Sequence, residues 1–379
     1  MNQQSHPLSV CHLSTAHPVK DVRIFYKECL TLASAGFKTH LVIQHTTSEE
    51  MGGVHIVRLK KIRGRIGRVW ASLTTAPLAA LKTGAKIIHF HDPELLLAGV
   101  GFALIGKKVI YDVHEDYSAA ILSRDWMPIL FRKSVGVLFY FLEKVCSFFF
   151  SGIVVATPSI GEKFSSKKTV LVQNFPLLSD LIHENTHQRN ANGTIASYVG
   201  VISKERGLME MIEAVELLPE KLGLSLHIAG DLPPELCQAI EQKVKKNNRF
   251  VFKGLISRAE VGDLLSQSLV GLVLFHPCPN HTKSQPNKLF EYMAAGIPVI
   301  ASDFPHWKKF VLENQCGLCV DPLSPIQIAK AIEWIMAHPD QAEEMGNNGR
   351  ILIESRFNWE TESRKLLDLY HGFGGSVVA

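Results

Sequence analysis

The stretch Ser284-Gln-Pro-Asn-Lys-Leu-Phe-Glu-Tyr-Met-Ala-Ala-Gly-Ile-Pro-Val-Ile-Ala-Ser-Asp303 decides the fold, because it predicts a loop, a helix and a strand in that order. It follows an apolar run, residues 270–275, that predicts a preceding strand. Pro286 suits the first turn of a helix, where its missing N–H would be unpaired anyway. Three apolar residues follow at helical spacing, namely Leu289, Phe290 and Met293. Gly296 can end that helix in a left-handed conformation before the next strand begins at Pro298.

The loop of this strand–loop–helix–strand unit carries groups that suit an anion. The first N–H groups of a helix lack partners within the helix and lie at the positive end of its dipole. Ser284, Asn287 and Lys288 add side-chain donors at the same end. Glu291 follows one turn later and can accept two hydrogen bonds from a vicinal diol. The spacing therefore predicts a phosphate site with a ribose beside it, and an ordinary buried turn with a solvated glutamate is the alternative.

This stretch resembles the donor-binding signature of the retaining GT-B glycosyltransferases of family 4, which reads E-Y/A-M-A-x-G-x-P-V-I and begins here at Glu291. The resemblance implies that Glu291 binds the nucleotide ribose and that Lys288 holds the diphosphate as a catalytic group. It also implies a nucleoside-diphosphate sugar, UDP- or GDP-linked, as the donor substrate, with no cofactor and no metal ion. Leu255, at the end of another predicted strand, is assigned to the same donor site.

A second loop that carries the resemblance spans residues 200–207, Gly-Val-Ile-Ser-Lys-Glu-Arg-Gly. It is similar to the family loop G-R-L-x-x-E-K-G, whose two cations hold the donor diphosphate. Arg206 stands at the second cation and is assigned to catalysis, whereas Val201 stands at the first and carries no charge. The resemblance assigns three residues of this loop to the donor site: Gly200, Lys204 and Arg206.

The acidic pair of the family, E-x7-E, is incomplete in this chain. Glu291 is its second member, but Lys283 stands where the first glutamate is expected. That first glutamate usually contacts the sugar being transferred. The departure therefore puts the selection of the donor sugar and the geometry of catalysis in doubt, while the sites for ribose and diphosphate are retained.

Strands and helices alternate through residues 8–174, which indicates a parallel sheet with crossover helices. No G-x-G-x-x-G follows the first predicted strand, so the dinucleotide fingerprint is missing from its place. Two strands end in polar residues, at His89-Phe-His-Asp-Pro-Glu94 and at Tyr111-Asp-Val-His-Glu-Asp116. The carboxyl ends of strands are where open α/β sheets bind ligands. A metal site is one interpretation, but His89 and His91 alternate along one strand face without a fixed third ligand.

The same two motifs look like acceptor-domain motifs of a bacterial subgroup of this family, which builds capsular and lipid-linked polysaccharides. The resemblance implies that His114 lies beside the transferred sugar as a catalytic residue. It places His91 and Asp92 on the acceptor side. Histidines at strand ends also brace loops, and that role is the alternative for His89 and His91.

The first part of the chain is basic. Residues 1–172 carry 21 lysines and arginines against 12 acidic residues, and residues 58–68 alone carry six of these cations. A basic surface favours an anionic partner, and each cation near an anionic lipid surface contributes about 1 kcal/mol. Four cations are assigned to this acceptor or membrane side: Lys60, Lys61, Arg63 and Arg65. A solvated basic loop is the alternative, and nucleic acid is disfavoured because no aromatic platform accompanies the cations.

Residues 126–150 predict a long apolar and aromatic helix, which overlaps the most apolar stretch of the chain, residues 135–156. Glu143 and Lys144 disfavour a transmembrane helix. We expect this helix to be buried throughout, and a helix with one face on a membrane is the alternative. The seven cysteines have irregular spacings that do not form a disulfide framework, which is typical of a reduced cytoplasmic protein.

The chain has 379 residues, of which 46% are hydrophobic and 20% charged, and this length suits two domains. We expect residues 1–174 to form an acceptor domain, 175–195 a linker, 196–355 a nucleotide-sugar domain and 356–379 a terminal helix that returns to the first domain. The predicted fold class is α/β of the GT-B type, with two Rossmann-like domains facing across a cleft.

These observations predict a retaining glycosyltransferase that moves a sugar from a nucleoside-diphosphate donor to a saccharide acceptor. The resemblance favours a lipid-linked acceptor in bacterial capsule, O-antigen or exopolysaccharide assembly. We expect a cytoplasmic enzyme, peripheral on the anionic inner face of the cell membrane, with no nucleic-acid partner. Two alternatives remain: a GT-B nucleotide-sugar epimerase, and a non-catalytic nucleotide-sugar-binding subunit.

Overall fold

The computed structural model describes residues 7–122, 128–181 and 194–374. The chain forms two compact units. The N-terminal unit comprises Met1–Asn174 together with Glu360–Ala379, and the C-terminal unit comprises Phe175–Trp359. Residues 182–193, which make up most of the expected linker, lie outside the described residues. Phe175, at the start of that linker, is buried in the C-terminal unit, with its ring centroid 4.8 Å from that of Phe290.

The strands of the described residues belong to two sheets. In chain order they are β1 (Ser9–Leu13), β2 (Lys38–Gln44), β3 (Glu49–Met51), β4 (Val54–Leu59), β5 (Ile87–Phe90), β6 (Lys108–Val113), β7 (Gly152–Val155), β8 (Thr169–Leu171), β9 (Ile195–Val199), β10 (Ser225–Ala229), β11 (Phe250–Gly254), β12 (Val270–Val273), β13 (Val299–Ser302) and β14 (Gly317–Val320).

Most strands are followed by a helix. The α-helices of the described residues are α1 (Leu30–Ser34), α2 (Gly64–Leu73), α3 (Thr75–Lys82), α4 (Leu96–Leu104), α5 (Tyr117–Leu122), α6 (Ile129–Ser147), α7 (Pro158–Gly161), α8 (Leu178–Leu181), α9 (Leu208–Leu217), α10 (Pro234–Lys246), α11 (Arg258–Ser266), α12 (Pro279–Thr282), α13 (Asn287–Ala294), α14 (Pro305–Glu313), α15 (Pro325–Ala337), α16 (Pro339–Ser355) and α17 (Trp359–His371). Short 3₁₀ segments span Pro93–Leu95, Lys204–Arg206 and Glu220–Leu222.

The sheet of the N-terminal unit has the order β3-β4-β2-β1-β5-β6-β7-β8 in the described residues. Its pairs are parallel except for the antiparallel edge pair of β3 and β4. Central strands such as β5 are buried along their whole length, as expected when crossover helices cover both faces. Because β1, β5 and β6 end side by side, the residues that follow Leu13, Phe90 and Val113 meet at one edge of the sheet.

A π-helical segment, Val22–Cys29, follows β1 and faces this edge. Its Asp21 N-cap accepts hydrogen bonds from the backbone N–H groups of Arg23 and Ile24, both at 2.9 Å. The i→i+5 hydrogen bonding of a π-helix makes each turn wider than an α-helical turn. This spacing brings Arg23 and Glu28 onto the same face, where both side chains are buried.

The last helix, α17, completes the N-terminal unit. Its Tyr370 is fully buried, and the ring centroid lies 5.7 Å from that of Phe37, just before β2. The terminal helix therefore returns to the first domain, as the predicted fold class requires.

The sheet of the C-terminal unit is parallel throughout its described strands, in the order β11-β10-β9-β12-β13-β14. The helix predicted from the motif, α13, packs directly on β12. A Cβ at Gly271 would lie 2.2 Å from a ring carbon of Tyr292, so only glycine permits this approach. The Tyr292 hydroxyl accepts a hydrogen bond of 2.9 Å from the Val199 N–H. These two contacts fix α13 against the carboxyl end of β9 and the beginning of β12.

The long helix α6 differs from the expectation of complete burial. It packs one face against the core through residues such as Phe139 and Cys146, and it exposes large apolar side chains on the other face. The exposed residues include Phe131, Val137, Leu138, Phe141, Val145 and Phe148. The interpretation as core throughout is therefore wrong, because in the part of the chain that the structure describes only one side of this helix is covered by a neighbouring layer. No helix among the described residues is long and apolar enough to cross a membrane.

Candidate functional site

The loop between β9 and α9 forms one side of the candidate site in the C-terminal unit. Gly207 has a left-handed φ of 75°, and a Cβ there would lie 2.1 Å from the Leu274 carbonyl oxygen. Any other residue would push the loop away from β12. Gly200 lies at the other end of the loop, and a Cβ there would be 3.3 Å from Lys288 Nζ. The two glycines thus allow the loop to pass close to the sheet and to the N-terminus of α13.

Lys288 is the central cation of this edge. Its side chain is buried, and Nζ has no hydrogen-bond partner among the described residues. The nitrogen lies 3.7 Å from the ring centroid of Tyr198 and 5.2 Å from that of Phe275. Burial lowers the pKa of Lys288 well below its usual value, the neighbouring Arg206 lowers it further, and Glu291 opposes both effects. A buried ammonium held only by aromatic faces is a strong potential donor to an anion.

Arg206 also approaches the Phe275 ring. Its guanidinium carbon lies 4.9 Å from the ring centroid of Phe275, so two cations share this ring. The structure therefore brings three predicted donor-site residues together: Gly200, Arg206 and Lys288. Sequence reasoning missed Tyr198 and Phe275, although both are aromatic residues within or just after strands that end at this edge.

The remaining predicted residues of the motif surround this centre less closely. Asn287 and Lys204 are exposed, and Glu291 is half-buried one turn into α13. The Ser284 hydroxyl donates to the His281 carbonyl at 2.9 Å, and the Ser284 carbonyl accepts from Trp307 Nε1 at 2.7 Å. Both polar groups of Ser284 therefore hold the loop in place. The departures Val201 and Lys283 are exposed as well.

Leu255 lies apart from these cations, at the mouth of a cavity of about 520 Å³. The cavity opens between α10 and the carboxyl ends of β10 and β11, and its wall includes Gly230, Asp231, Gly254 and Leu255. Since the Leu255 side chain is exposed, this wall offers apolar surface. Its size and position suit a flat ring system.

The candidate site of the N-terminal unit is built around Asp112, on β6. Arg23 donates to both of its oxygens, from Nε at 2.9 Å and from Nη2 at 2.8 Å. His114 Nε2 lies 2.7 Å from the same Oδ2 atom. Burial alone would raise the pKa of Asp112, but Arg23 and His114 outweigh burial and hold it well below its usual value. His114, whose side chain is 14% exposed, is thus oriented by an ionised carboxylate.

His91 and Asp92, predicted on the acceptor side, are both buried. Asp92 Oδ2 accepts hydrogen bonds from the backbone and hydroxyl groups of the loop after β1, including Ser14 Oγ at 3.0 Å and the Ala16 N–H at 3.2 Å. His91 Nδ1 lies 3.1 Å from Asp112 Oδ2. In this structure both residues brace the edge of the sheet, and His114 is the more accessible group.

His17, which the sequence did not single out, also belongs to this edge. Its ring centroid lies 5.3 Å from that of His114, and its Nδ1 lies 3.2 Å from Asp21 Oδ2. Burial lowers the pKa of His17, but the carboxylates of Asp21 and Asp92 outweigh burial and raise it. A second polar ring therefore stands beside His114 at the surface.

Four residues here offer possible metal-ligand atoms within 4.8 Å of one another: Glu28, His89, His91 and Asp112. Their surroundings favour hydrogen bonding instead. The Arg23 guanidinium already neutralises Asp112 and lies 3.1 Å from Glu28. Burial and the neighbouring Asp112 raise the pKa of Glu28 well above its usual value, against the effect of Arg23. A positive guanidinium at this position opposes the addition of a cation.

The basic segment is partly helical rather than a loop. Lys60 and Lys61 precede α2, Arg63 is its N-cap, and Arg65 lies inside it, although the Arg65 side chain lies outside the described residues. The same helix exposes apolar side chains, with Ile66 at 87% and Trp70 at 70%. The cations therefore flank an exposed apolar helix face, a pattern typical of membrane-surface helices.

Comparison with solved structures identifies the fold of the chain. Sucrose-phosphate synthase from Thermosynechococcus elongatus superposes with a TM-score of 0.77 at 20% identity, over 97% of this chain and 99% of that one. WaaG, a glycosyltransferase involved in lipopolysaccharide biosynthesis, gives a TM-score of 0.69 at 16% identity, over 96% and 100%. Anabaena HepE in complex with UDP-glucose gives 0.70 at 14%, over 96% and 100%. The two Rossmann-like units therefore form a GT-B fold.

Sequence comparison then finds a family model that matches part of the chain. Residues 181–352 match the profile described as Glycosyl transferases group 1. The capsular polysaccharide biosynthesis glycosyltransferase CapM of Staphylococcus aureus is 22% identical over 256 residues, which are 62% of this chain and 65% of CapM. D-rhamnosyltransferase WbpZ of Pseudomonas aeruginosa is 22% identical over 350 residues, 88% of this chain and 87% of WbpZ. Part of the chain is thus similar to glycosyltransferase group 1, and the chain has relatives among bacterial polysaccharide glycosyltransferases. These similarities support a transferase, and they favour neither an epimerase nor a non-catalytic subunit.

Proposed function

We propose that this enzyme transfers a sugar, with retained anomeric configuration, from a nucleoside-diphosphate sugar to a lipid-linked saccharide acceptor in bacterial surface-polysaccharide assembly. The observation that carries the proposal is the buried Nζ of Lys288, which lies over Tyr198, beside Arg206 and at the N-terminus of α13. A diphosphate is the guest that satisfies two cations and a helix N-terminus together. Solved relatives are consistent with it, since HepE was crystallised with UDP and with UDP-glucose.

The donor is proposed to lie along this edge in a fixed order. Its diphosphate contacts Arg206 and Lys288, its ribose hydroxyls donate to Glu291, and its base enters the cavity lined by Leu255. Asn287 and Lys204, both exposed, supply further donors to the phosphate oxygens. The wall at Gly254 and Leu255 is mostly backbone and apolar surface. The nucleotide panel described below therefore decides between a pyrimidine and a purine base.

Departure of the nucleoside diphosphate leaves negative charge on its phosphates, and stabilising that charge is the main task of the site. Arg206, Lys288 and the first N–H groups of α13 supply fixed positive charge for it. The proposal therefore needs no metal ion. The anomeric configuration is retained because the acceptor hydroxyl attacks the sugar on the face from which the nucleoside diphosphate departs. A phosphate oxygen of the donor accepts the proton of that hydroxyl. His114, oriented by Asp112, is assigned to the transfer step.

A panel of nucleotides and nucleotide sugars in thermal-shift assays tests the donor assignment, and product analysis by NMR tests retention. Lys288→Met should weaken the binding of the matching nucleoside diphosphate by about 1.5–3 kcal/mol, the range for hydrogen bonds to charged groups. Lys309→Met, on the exposed surface of α14 in the same unit, is the control and should bind normally. Normal affinity in Lys288→Met, or products that require no acceptor, would refute the proposal.

The membrane part of the proposal rests on exposed apolar side chains of three neighbouring helices in the N-terminal unit. Helix α4 contacts both α2 and α6, and all three expose large apolar side chains. Among them are Ile66, Trp70, Leu104, Leu138 and Phe141. Lys60, Lys61 and Arg63 border this surface at α2. Apolar side chains beside cations favour an anionic lipid surface, where the lipid-linked acceptor would be embedded.

Co-sedimentation with anionic vesicles tests this surface. Replacing Lys60, Lys61 and Arg63 by Gln should weaken binding, and added salt should do the same because screening shortens to about 8 Å at physiological ionic strength. Replacing Lys243, Lys245 and Lys246 on α10 by Gln removes the same charge from the C-terminal unit and should leave binding intact. If both variants lost vesicle binding equally, the attraction to the vesicles would depend only on the net charge of the protein.

A further inference from the structure

A row of buried polar rings stands behind Asp112 in the N-terminal unit. His89 Nδ1 lies 2.7 Å from the Tyr370 hydroxyl, which lies 3.3 Å from His12 Nε2. His12 Nδ1 lies 3.0 Å from His91 Nε2, and His91 Nδ1 lies 3.1 Å from Asp112 Oδ2. All five residues are fully buried. The row therefore connects the last helix to the carboxylate at the edge of the sheet.

The charge of Asp112 fixes the direction of the hydrogen bonds in this row. An ionised carboxylate only accepts, so the His91 nitrogen that faces it, Nδ1, must carry the proton. Burial lowers the pKa of His91 to about 4, so its ring is neutral at physiological pH and its Nε2 is an acceptor. The opposite polarity would place a lone pair of His91 against the ionised oxygen at 3.1 Å.

The rest of the row follows from this assignment. His12 must donate from Nδ1 to His91 Nε2, which leaves His12 Nε2 as an acceptor for the Tyr370 hydroxyl. The Tyr370 oxygen in turn accepts from His89 Nδ1. Each donor is then used once, and each hydrogen bond polarises the next in the same direction. The row ends at His89 Nε2, a buried nitrogen without a partner among the described residues.

We propose that Tyr370 is a positioning residue for His114. Through His12 and His91, its hydroxyl strengthens the hydrogen bond that His91 donates to Asp112. That hydrogen bond holds Asp112 in the orientation that His114 requires. The inference rests on the proposed role of His114 in sugar transfer. It makes the last helix a functional part of the N-terminal site, in addition to its packing.

Other charged and titratable groups face Asp112 and His114 from the neighbouring elements. They are Arg23 and Glu28 from the π-helical segment, His17 and Asp21 from the loop after β1, and Asp92 after β5. None of them bonds to the Tyr370 hydroxyl. A substitution at Tyr370 therefore leaves this environment in place and changes only the row.

The first test needs no variant. In the protein labelled with ¹⁵N-histidine, the ring signals of His12, His89 and His91 should all show the Nδ1–H tautomer. A through-hydrogen-bond coupling between His12 Nδ1 and His91 Nε2 should be detectable. An Nε2–H tautomer at His91 would reverse the row and overturn the proposal.

The second test is Tyr370→Phe, which removes the hydroxyl with almost no change of volume. The ring signals of His91 and His114 should shift. The kcat of transfer should fall about fivefold, the effect of one ordinary hydrogen bond, while KM for the donor stays the same. Tyr111→Phe is the matched control, since Tyr111 is equally buried and its hydroxyl donates to Glu143 at 2.9 Å. Tyr111 points to the opposite face of β6 from Asp112, so this variant should leave kcat and the histidine signals unchanged.

A Tyr370→Phe protein that folds and retains both the histidine signals and kcat would overturn the proposal. If the histidine signals shift while kcat does not, the row exists but the assignment of His114 to the transfer step is wrong. Should Tyr370→Phe fail to fold, the tautomers of the unmodified protein decide the question.

Discussion

Each sheet has a buried cation at its carboxyl edge. In the N-terminal unit Arg23 contacts the carboxyl groups of Asp112 and Glu28. In the C-terminal unit Lys288 contacts the rings of Tyr198 and Phe275. The first cation has its counter-charge, the Asp112 carboxylate, within the fold. The second contacts aromatic faces and has no hydrogen-bond partner among the described residues, so the weak attraction of Glu291 compensates its desolvation only in part. Two edges of similar topology thus differ in charge balance. In the first, the buried cation is paired with a carboxylate that also contacts His114, and in the second the buried cation lacks a hydrogen-bond partner among the described residues, which is why we propose it as a ligand site.

This comparison predicts the largest effect at Arg23. Arg23→Met leaves Asp112 buried without its guanidinium partner, and the free energy of unfolding should fall by about 3–5 kcal/mol. The loss should shrink as the pH falls, because a lowered carboxylate pKa stabilises the fold at neutral pH and this contribution disappears as Asp112 protonates. Because the pKa of Asp112 in the parent lies well below the unfolded-chain value of about 3.9, its contribution is lost only below about pH 4. Denaturant unfolding from neutral pH down through that acidic range measures both effects.

The control for Arg23 is Lys243→Met, which removes a cation from the solvent-exposed pair with Glu216. That variant should change stability by less than about 1 kcal/mol. If the two variants were equally stable, the buried ion pair of the N-terminal edge would not have the charge balance that the comparison assumes.

The second prediction concerns His114, the accessible residue at that edge. His114→Ala should lower kcat by about 10²-fold, equivalent to about 2.7 kcal/mol, because its contact is proposed to matter near the transition state. Donor affinity should change little, since the diphosphate and ribose contacts are assigned to the C-terminal unit. Melting temperature, nucleotide affinity and turnover measured on one preparation separate this role from a structural one.

His55→Ala is the matched control for His114, because His55 is a partly exposed histidine of the same unit that pairs with Glu50. It should retain turnover. A His114→Ala enzyme that melts normally and transfers sugar at the parent rate would remove His114 from the site.

The sequence predicted much of this arrangement. Apolar runs punctuated by glycine and proline gave the alternation of strands and helices, and the motif around Glu291 gave the position of α13. Because carboxyl ends of parallel strands share an edge, the sequence pattern alone places His91 and His114 together, and their ring nitrogens lie 3.2 Å apart.

The remaining features depend on contacts between distant parts of the chain. Arg23 meets Asp112 across 89 positions, and Tyr370 meets His89 across 281, with no local pattern to indicate either contact. The motif located Lys288 but gave no sign that its side chain would be buried on Tyr198. For α6, an apolar composition predicts burial on every side, and only the packed layers show which face stays exposed.

The third prediction concerns Glu291, on the C-terminal edge. If its carboxylate accepts two ribose hydroxyl hydrogen bonds, Glu291→Gln should weaken nucleotide binding by about 1.5–3 kcal/mol. The bare nucleoside diphosphate should lose as much affinity as the full donor, since the ribose is common to both. Calorimetry with both ligands tests this, and Glu313→Gln, on the exposed surface of α14, serves as control. Unchanged affinity for either ligand would remove Glu291 from the ribose site.

The smallest expected effect has the opposite sign to the first. Without ligand, Lys288→Met removes a buried charge that the fold compensates mainly through aromatic contacts, so the free energy of unfolding should rise, by about 1 kcal/mol.

The pKa of Lys288 is lowered in the folded state, whereas the unfolded chain keeps a lysine pKa near its usual value of about 10.4. Between these two pKa values the unfolded state binds more protons, so the stability of the parent should rise with pH across that window. The variant lacks this titration, and its advantage should therefore be greatest at low pH and vanish as the pH approaches 10. Chemical denaturation at several pH values measures the difference, and a variant less stable than the parent throughout would show that Lys288 is already compensated within the fold, as Arg23 is.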